Sequence, residues 1–227
     1  MKNTNLLQYN IADGVTAFST MRNAELPYPV LQPHQIHGDE VAVVESRTLT
    51  RDDLQGVDAL ITALDDYPIA VRTADCVPVL LYDPVQRVVA AVHSGWRGTV
   101  KRISQKTMRI MCERFSTSPS DFMAVIGPSI GPDSFEVGQE VVEAFRDAGF
   151  PVADINRPKE GVPEKSYIDL WKANAWLLEE MGVKAENIQV AGIDTYQRND
   201  LFFSARHEGR KCGRIINVIR MEKVIDN

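Results

Sequence analysis

Residues 73–98, reading TADCVPVLLYDPVQRVVAAVHSGWRG, constrain the fold more than any other part of the chain. Two apolar runs, 77–82 and 88–92, each have the length of a buried strand, and Asp83-Pro84 between them is turn chemistry. The reactive groups sit at the ends of these runs. Asp75 and Cys76 come just before the first, while His93 leaves the second and runs into Ser94-Gly95-Trp96-Arg97-Gly98, which opens a helix. A thiol and an imidazole at the same edge of neighbouring strands can meet either as nucleophile and base or as metal ligands. The spacing leaves both readings open.

The rest of the chain reads as a mixed α/β (α+β) succession without repeats or low-complexity tracts. Short apolar pieces in 6–20 suggest an edge pair, and a Pro-punctuated link, 26–33, delivers His34 and His37 to a strand over 40–45. Val57–Thr62 and Ile69–Thr73 are β-branched and apolar, as strands require. After Gly98, Val100, Ile103, Met108, Met111 and Phe115 recur at helical spacing, which predicts one helix with Lys101-Arg102 in solvent and Cys112 as a small core residue. A strand over 122–126 leads into a rigid Gly/Pro loop, 127–132, and a helix covers 141–145. Residues 150–165, with their prolines and charges, read as an exposed loop. Asp169 is placed to cap a helix ending at Gly182, with Trp171 and Trp176 as packing residues, and strands over 188–193 and 214–221 close the chain.

A chain of 227 residues can bury a full core without splitting, so one domain over 1–227 is expected. The net charge of -6 and the shortness of basic pairs such as Arg210-Lys211 argue against nucleic acid. No apolar run approaches the span of a bilayer and the first residues lack a signal-peptide pattern, so a soluble cytoplasmic protein is expected, with three cysteines as thiols.

Should His34 or His37 reach the edge that carries Cys76 and His93, the three side chains would make a Cys-His-His site suited to tetrahedral zinc with one position open. The metal-free alternative keeps the same residues: His93 activates the Cys76 thiol and Asp75 orients the imidazole. The turn 94–98 carries Arg97 and two glycines at a helix start, where backbone amides can face an anion. Arg72, three residues before Asp75, either pairs with that acid or faces a ligand, and Arg206 is a weaker candidate of the same kind. His207 has no evident partner.

HQIHGDEV, VDALIT, TADCVPVLLYD, AAVHSGWRGTV, IGPSIGPDSFEVG and LFFSARHEGRKCGR, in this order over nearly the whole chain, resemble the YfiH or laccase-domain family. That family was labelled polyphenol oxidase and later assigned purine nucleoside phosphorylase activity. The resemblance implies a layered α/β/β/α sandwich with mixed sheets. It also implies a zinc site on His37, Cys76 and His93, leaving His34 a supporting role. The implied chemistry is phosphorolysis of adenosine, inosine and methylthioadenosine, with deamination of adenosine. On this reading Arg72, Ser94, Arg97, Gly98 and Arg206 would hold phosphate or substrate, and Asp75 would serve as general acid or base beside Cys76 and His93. The chain departs from the family's pattern at Ser94, where alanine is common, at Ser134-Phe135 in place of Cys-Tyr, and at Asp194 in place of a cysteine before Thr195.

Two other activities use the same residues. Copper at these ligands would oxidise phenols, although one Cys and two or three His are few for multi-copper chemistry. A Cys76–His93 pair without metal would suit an amide hydrolase acting on cell-wall peptides. A non-enzymatic metal sensor would not need arginines converging on the same cleft.

Overall fold

The computed structural model describes residues 5–223. Its first strands are β1 (Leu6–Tyr9), β2 (Val15–Thr20), β3 (Glu40–Val43), β4 (Val57–Thr62) and β5 (Ile69–Thr73). The two central runs follow as β6 (Val77–Asp83) and β7 (Val88–Ser94), an antiparallel hairpin. Asp83 closes its turn by accepting from the amides of Val85 and Gln86 at 2.8 and 3.0 Å. Every residue of β6 and β7 is buried, which is why both read as unbroken apolar runs without alternation.

Beyond the hairpin lie α1 (Trp96–Val100) and α2 (Ile103–Phe115). The single helix expected here is broken at Arg102, whose backbone takes a left-handed φ of 61°. Arg102 is not solvated as expected: it donates to Glu180 Oε2 at 2.5 Å and to the Ala148 carbonyl at 3.0 Å, with its guanidinium 5.2 Å from the Trp176 ring. Next come β8 (Met123–Ile126), β9 (Glu136–Gly138), α3 (Gln139–Asp147), α4 (Val152–Ile155), β10 (Asn156–Pro158) and β11 (Lys165–Ile168). Residues 150–165 are therefore not the loop expected. Phe150 and Ile155 are buried, and β10 pairs with β11, which pairs with β9. Strands this short and polar carry no alternation for a sequence reading to find. Then α5 (Leu170–Glu180) starts at Asp169, whose carboxylate accepts from the Lys172 amide at 2.9 Å, and Gly182 (φ 102°) turns the chain away. β12 (Ile188–Val190), α6 (Ala205–Glu208) and β13 (Ile215–Met221) complete the order.

The strands assemble a six-stranded mixed sheet, β12-β8-β6-β7-β4-β3, and a four-stranded antiparallel sheet, β1-β2-β13-β5. Leu60, Leu80, Val89 and Ala91 of the larger sheet face Ala17, Val71, Ile219 and Met221 of the smaller one. The opposite face of the larger sheet, through Ile61, Val79, Leu81 and Val92, packs against Met108, Phe145 and Leu177 of the helices. On the outside of the smaller sheet, Phe18, Ala70 and Val218 are covered by Leu26, Tyr28 and Val30 of the Pro-punctuated link. The result is the layered mixed α/β sandwich expected. Helices lie on the large sheet, and an extended segment covers the small one. No helix among the described residues is long and apolar enough to cross a membrane.

Towards one end of the inter-sheet layer the apolar filling gives way to polar side chains. Ser19 donates to Asn217 Oδ1 at 2.5 Å and lies 2.6 Å from the Tyr9 hydroxyl, while Asn217 donates to Thr73 Oγ1 at 3.0 Å. Each of these buried groups has a partner, as burial requires. This polar end is where β5 hands over to Asp75 and Cys76.

Candidate metal centre

Strand register brings the reactive groups together. Pro78 is opposite His93 across β6 and β7, and Ala59 is opposite Val92 across β4 and β7. One residue further along, Asp58 therefore stands opposite His93, while Cys76 lies at the open edge beside Gly95. The Asp58 side chain is fully buried and its Oδ1 lies 2.7 Å from His93 Nδ1. His93 Nε2 is thereby turned away from the carboxylate.

Asp58 also builds the loop carrying the second imidazole. Its carboxylate accepts from the backbone amides of Ile36 (3.2 Å), His37 (3.0 Å) and Gly38 (2.8 Å). These bonds hold His37 in a left-handed conformation, φ 63°, uncommon for a residue with a side chain. Gln35 ties the same loop to β5, donating to the Arg72 carbonyl at 2.9 Å and accepting from its amide at 2.8 Å. The His37 and His93 rings lie 4.8 Å apart between centroids at 74°, and ligand atoms of His37, Cys76 and His93 all fall within 4.8 Å of one another. His34 is exposed and stands outside this group.

The chemistry of the three side chains suits a cation. Burial would push the Cys76 thiol up, yet the neighbouring imidazoles of His93 and His37 outweigh it and bring the thiol down to about 6. Burial would likewise lower His93, but Cys76 and Asp58 raise it to about 9. A thiolate and a carboxylate thus concentrate negative charge on one imidazole, which attracts a proton or a metal ion. One thiolate and two imidazoles are a zinc-type donor set, borderline in softness. Gly95 makes room for the thiolate, since a Cβ there would lie 2.8 Å from Cys76 Sγ and 3.7 Å from His37 Cδ2.

The site opens into a cleft of about 720 Å³. Arg51, Arg72, Arg97, Arg206, Arg210 and Arg214 line it, and none has a carboxylate within ion-pair distance among the described residues. Arg97 lies 4.3 Å from the Trp96 ring centroid and Arg206 5.7 Å from that of Phe135, so charge and aromatic surface alternate along the wall. Arg210 is exposed and also borders this cleft.

Several expected roles change. Ser94 is fully buried, its hydroxyl 3.1 Å from that of Thr99, and does not line the cleft. Gly98 is buried too. A Cβ there would meet the His93 carbonyl at 3.2 Å, so this glycine serves the packing of α1 on β7. Asp75 lines the cleft but does not orient His93. It sits at φ 80°, accepts from Thr195 Oγ1 at 2.8 Å and from the Arg206 amide at 2.6 Å, and so fastens α6 to the end of β5. Sequence reasoning missed Asp58, Gln35, Arg51 and Arg214. For Asp58 the signal was present: an acid inside the otherwise apolar run VDALIT.

Two of the departures from the family's pattern prove to be one contact, with the Ser134 hydroxyl donating to Asp194 Oδ2 at 2.6 Å. Both flank the Gly/Pro loop, where Ile130 donates to the Asp75 carbonyl at 2.9 Å and Trp171 donates to Ser129 Oγ at 2.7 Å. Trp171 is thus a hydrogen-bonding as well as a packing residue. His207 is exposed, its ring 5.5 Å from Tyr196.

Fold and site together define a mixed α/β sandwich protein with a Cys/His ligand cluster at the foot of a basic cleft. The chain belongs to the family described as multi-copper polyphenol oxidoreductase laccase, matched over residues 12–222, which is the laccase-domain or YfiH family. It is 42% identical over 206 residues to a purine nucleoside phosphorylase of Bacteroides thetaiotaomicron, covering 88% of this chain and 76% of that protein. It is also 42% identical over 193 residues to an adenosine deaminase, RL5, of an unknown prokaryotic organism, covering 82% and 72%. Among solved structures, the Bacillus licheniformis hypothetical protein YfiH superposes with a TM-score of 0.87 at 25% identity, covering 96% and 97% of the two chains. YlmD of Geobacillus stearothermophilus gives 0.85 at 25% identity, covering 98% of each.

Proposed function

We propose that this chain is a zinc-dependent purine nucleoside phosphorylase of a single cytoplasmic catalytic domain, acting on adenosine, inosine and methylthioadenosine and also deaminating adenosine. The observation that carries the reading is one cleft holding a Cys/His ligand cluster beside arginines that lack carboxylate partners. The names of the relatives from Bacteroides thetaiotaomicron and the unknown prokaryote support both activities. Free thiols at Cys76, Cys112 and Cys212 agree with a reducing compartment.

His37, Cys76 and His93 would hold the zinc, which supplies Lewis acidity towards an oxygen of the nucleoside or water. The remaining work falls to the chain's own groups. Asp58 keeps the proton of His93 on Nδ1 and leaves Nε2 free as a ligand atom. Arg72, Arg97 and Arg206 bind inorganic phosphate and aim one of its oxygens at the ribose C1′, while the bond from C1′ to the purine nitrogen breaks. The proton of the phosphate balances the departing base. Trp96, Ile130 and Phe135 offer apolar surface for the purine. Both carboxylate oxygens of Asp75 already accept hydrogen bonds, so its role here is to position Arg206 and not to shuttle a proton.

The copper reading calls for several metal centres, whereas one group of ligating side chains is found among the described residues. The test is incubation of the purified protein with inosine, with and without inorganic phosphate. Hypoxanthine and ribose 1-phosphate should form together and only when phosphate is present. Release of hypoxanthine independent of phosphate would overturn phosphorolysis.

A further inference from the structure

Six arginines are more than one inorganic phosphate requires. A phosphate dianion is satisfied by two or three guanidinium forks, and a nucleoside brings no charge. Arg72, Arg97 and Arg206 supply those forks under the proposed function, which leaves Arg51, Arg210 and Arg214 unassigned. Asp75 is the lone carboxylate in the cleft lining among the described residues.

The excess charge is not scattered. Arg51, Arg72 and Arg214 come from three separate segments and line the same cleft, where burial first and then the charges of Arg51 and Arg214 lower the pKa of Arg72. Their supports are rigid. Arg51 opens a short turn fixed by Thr50, whose amide and hydroxyl both donate to Asp53 Oδ2 at 2.8 and 2.7 Å, with Leu54 buried beneath. Arg214 donates to the carbonyls of Cys212, Gly213 and Arg210 at 2.5, 2.9 and 2.9 Å, so its charge is held in place by its own loop. The side-chain donors of Arg51 and Arg72 have no protein acceptor among the described residues. Like charges gathered this way cost energy unless an anion sits among them.

We infer that Arg51, Arg72 and Arg214 form a second anion subsite that takes a phosphoryl group carried by the purine nucleoside, so that nucleoside monophosphates are preferred ligands of this cleft. The inference rests on the proposed reading of the cleft as a purine nucleoside site. Inorganic phosphate then keeps Arg97 and Arg206, and Arg72 turns to the phosphoryl group of the ligand.

The experiment is calorimetric titration of the metal-loaded protein with inosine, inosine 5′-monophosphate and inosine 3′-monophosphate. Saturating sulfate serves as an unreactive occupant of the inorganic phosphate position. At least one monophosphate should bind about tenfold or more tightly than inosine, the gain expected of one charge-assisted contact, and should weaken as salt rises. Arg51→Gln should bring the ratio of dissociation constants towards one. Arg146→Gln, which removes an exposed arginine of α3 outside the cleft, should leave that ratio in place. The inference is overturned if neither monophosphate binds more tightly than inosine, if sulfate abolishes the difference, or if the difference survives in Arg51→Gln. Phosphorolysis of inosine, assayed alongside, separates the two claims. Turnover without a monophosphate preference sinks the subsite alone, whereas an Arg51-dependent preference without turnover supports the subsite and sinks the proposed activity.

Discussion

Replacing Asp58 by Asn should damage the site more than replacing any other residue that cannot itself bind the metal. The carboxylate accepts four hydrogen bonds, from the amides of Ile36, His37 and Gly38 and from His93 Nδ1, in a fully buried position. Asn fits the space but puts an NH₂ where one oxygen stood, so a donor faces donors on whichever side it points. Hydrogen bonds to a charged group contribute about 1.5–3 kcal/mol each, and losing two of them costs on the order of 3–6 kcal/mol, shared between folding and metal binding. On the metal side, loss of the group that orients a ligand weakens affinity by about 10–100-fold. A folding share of about 2 kcal/mol in a chain of this size lowers Tm by roughly 4–8 °C. Chelator competition and thermal unfolding of Asp58→Asn beside wild type would measure both shares. Asp75→Asn provides the contrast, since Asp75 holds Thr195 and Arg206, and its metal affinity should stay within about twofold. If Asp58→Asn binds metal as wild type does and Asp75→Asn does not, the assignment of the His93 partner is wrong.

Gly95→Ala adds a Cβ at 2.8 Å from Cys76 Sγ, so metal affinity should fall by about tenfold or more in chelator competition although no ligand is changed. Gly131→Ala drives a methyl to within 2.7 Å of Asp194 Oδ2, and urea unfolding should show a loss of about 1–3 kcal/mol, partly recovered by Asp194→Ala in the same chain. Acid should destabilise the fold through carboxylates held below their usual range, among them Asp39 by its hydrogen bond from Lys101 and Glu180 by those from Gln105 and Arg102. Folded values below unfolded ones stabilise above about pH 5, and that stabilisation is lost as pH falls through the folded values. A urea midpoint that stays level from pH 6 to pH 3 would contradict this.

The core of the fold was legible because the runs within β6 and β7 are short, apolar and rich in β-branched residues, and Asp83-Pro84 marks their turn. Cys76 and His93 were legible for the same reason, since polar groups at the ends of apolar runs are conspicuous. What could not be read was whatever depends on register. Asp58 looks like the first polar residue of a strand until pairing sets it opposite His93. Asp75 looked like the partner of His93 from its nearness in sequence, but its left-handed backbone turns the carboxylate towards Thr195 and Arg206. Ser94 and Gly98 flank a helix start, where an anion cradle is expected, and pairing alone reveals that the Ser94 hydroxyl meets Thr99 and that the Gly98 α-carbon packs against β7. Arg51 and Arg214 stand in no motif that marks them, and only the tertiary fold brings them to the cleft with Arg72.

We propose that His37, Cys76 and His93 share one zinc ion. Elemental analysis of the purified protein beside Cys76→Ala tests it directly. Wild type should carry close to one zinc per chain and the variant only a trace. Copper in stoichiometric amount, no metal at all, or zinc retained in full by Cys76→Ala would each contradict it.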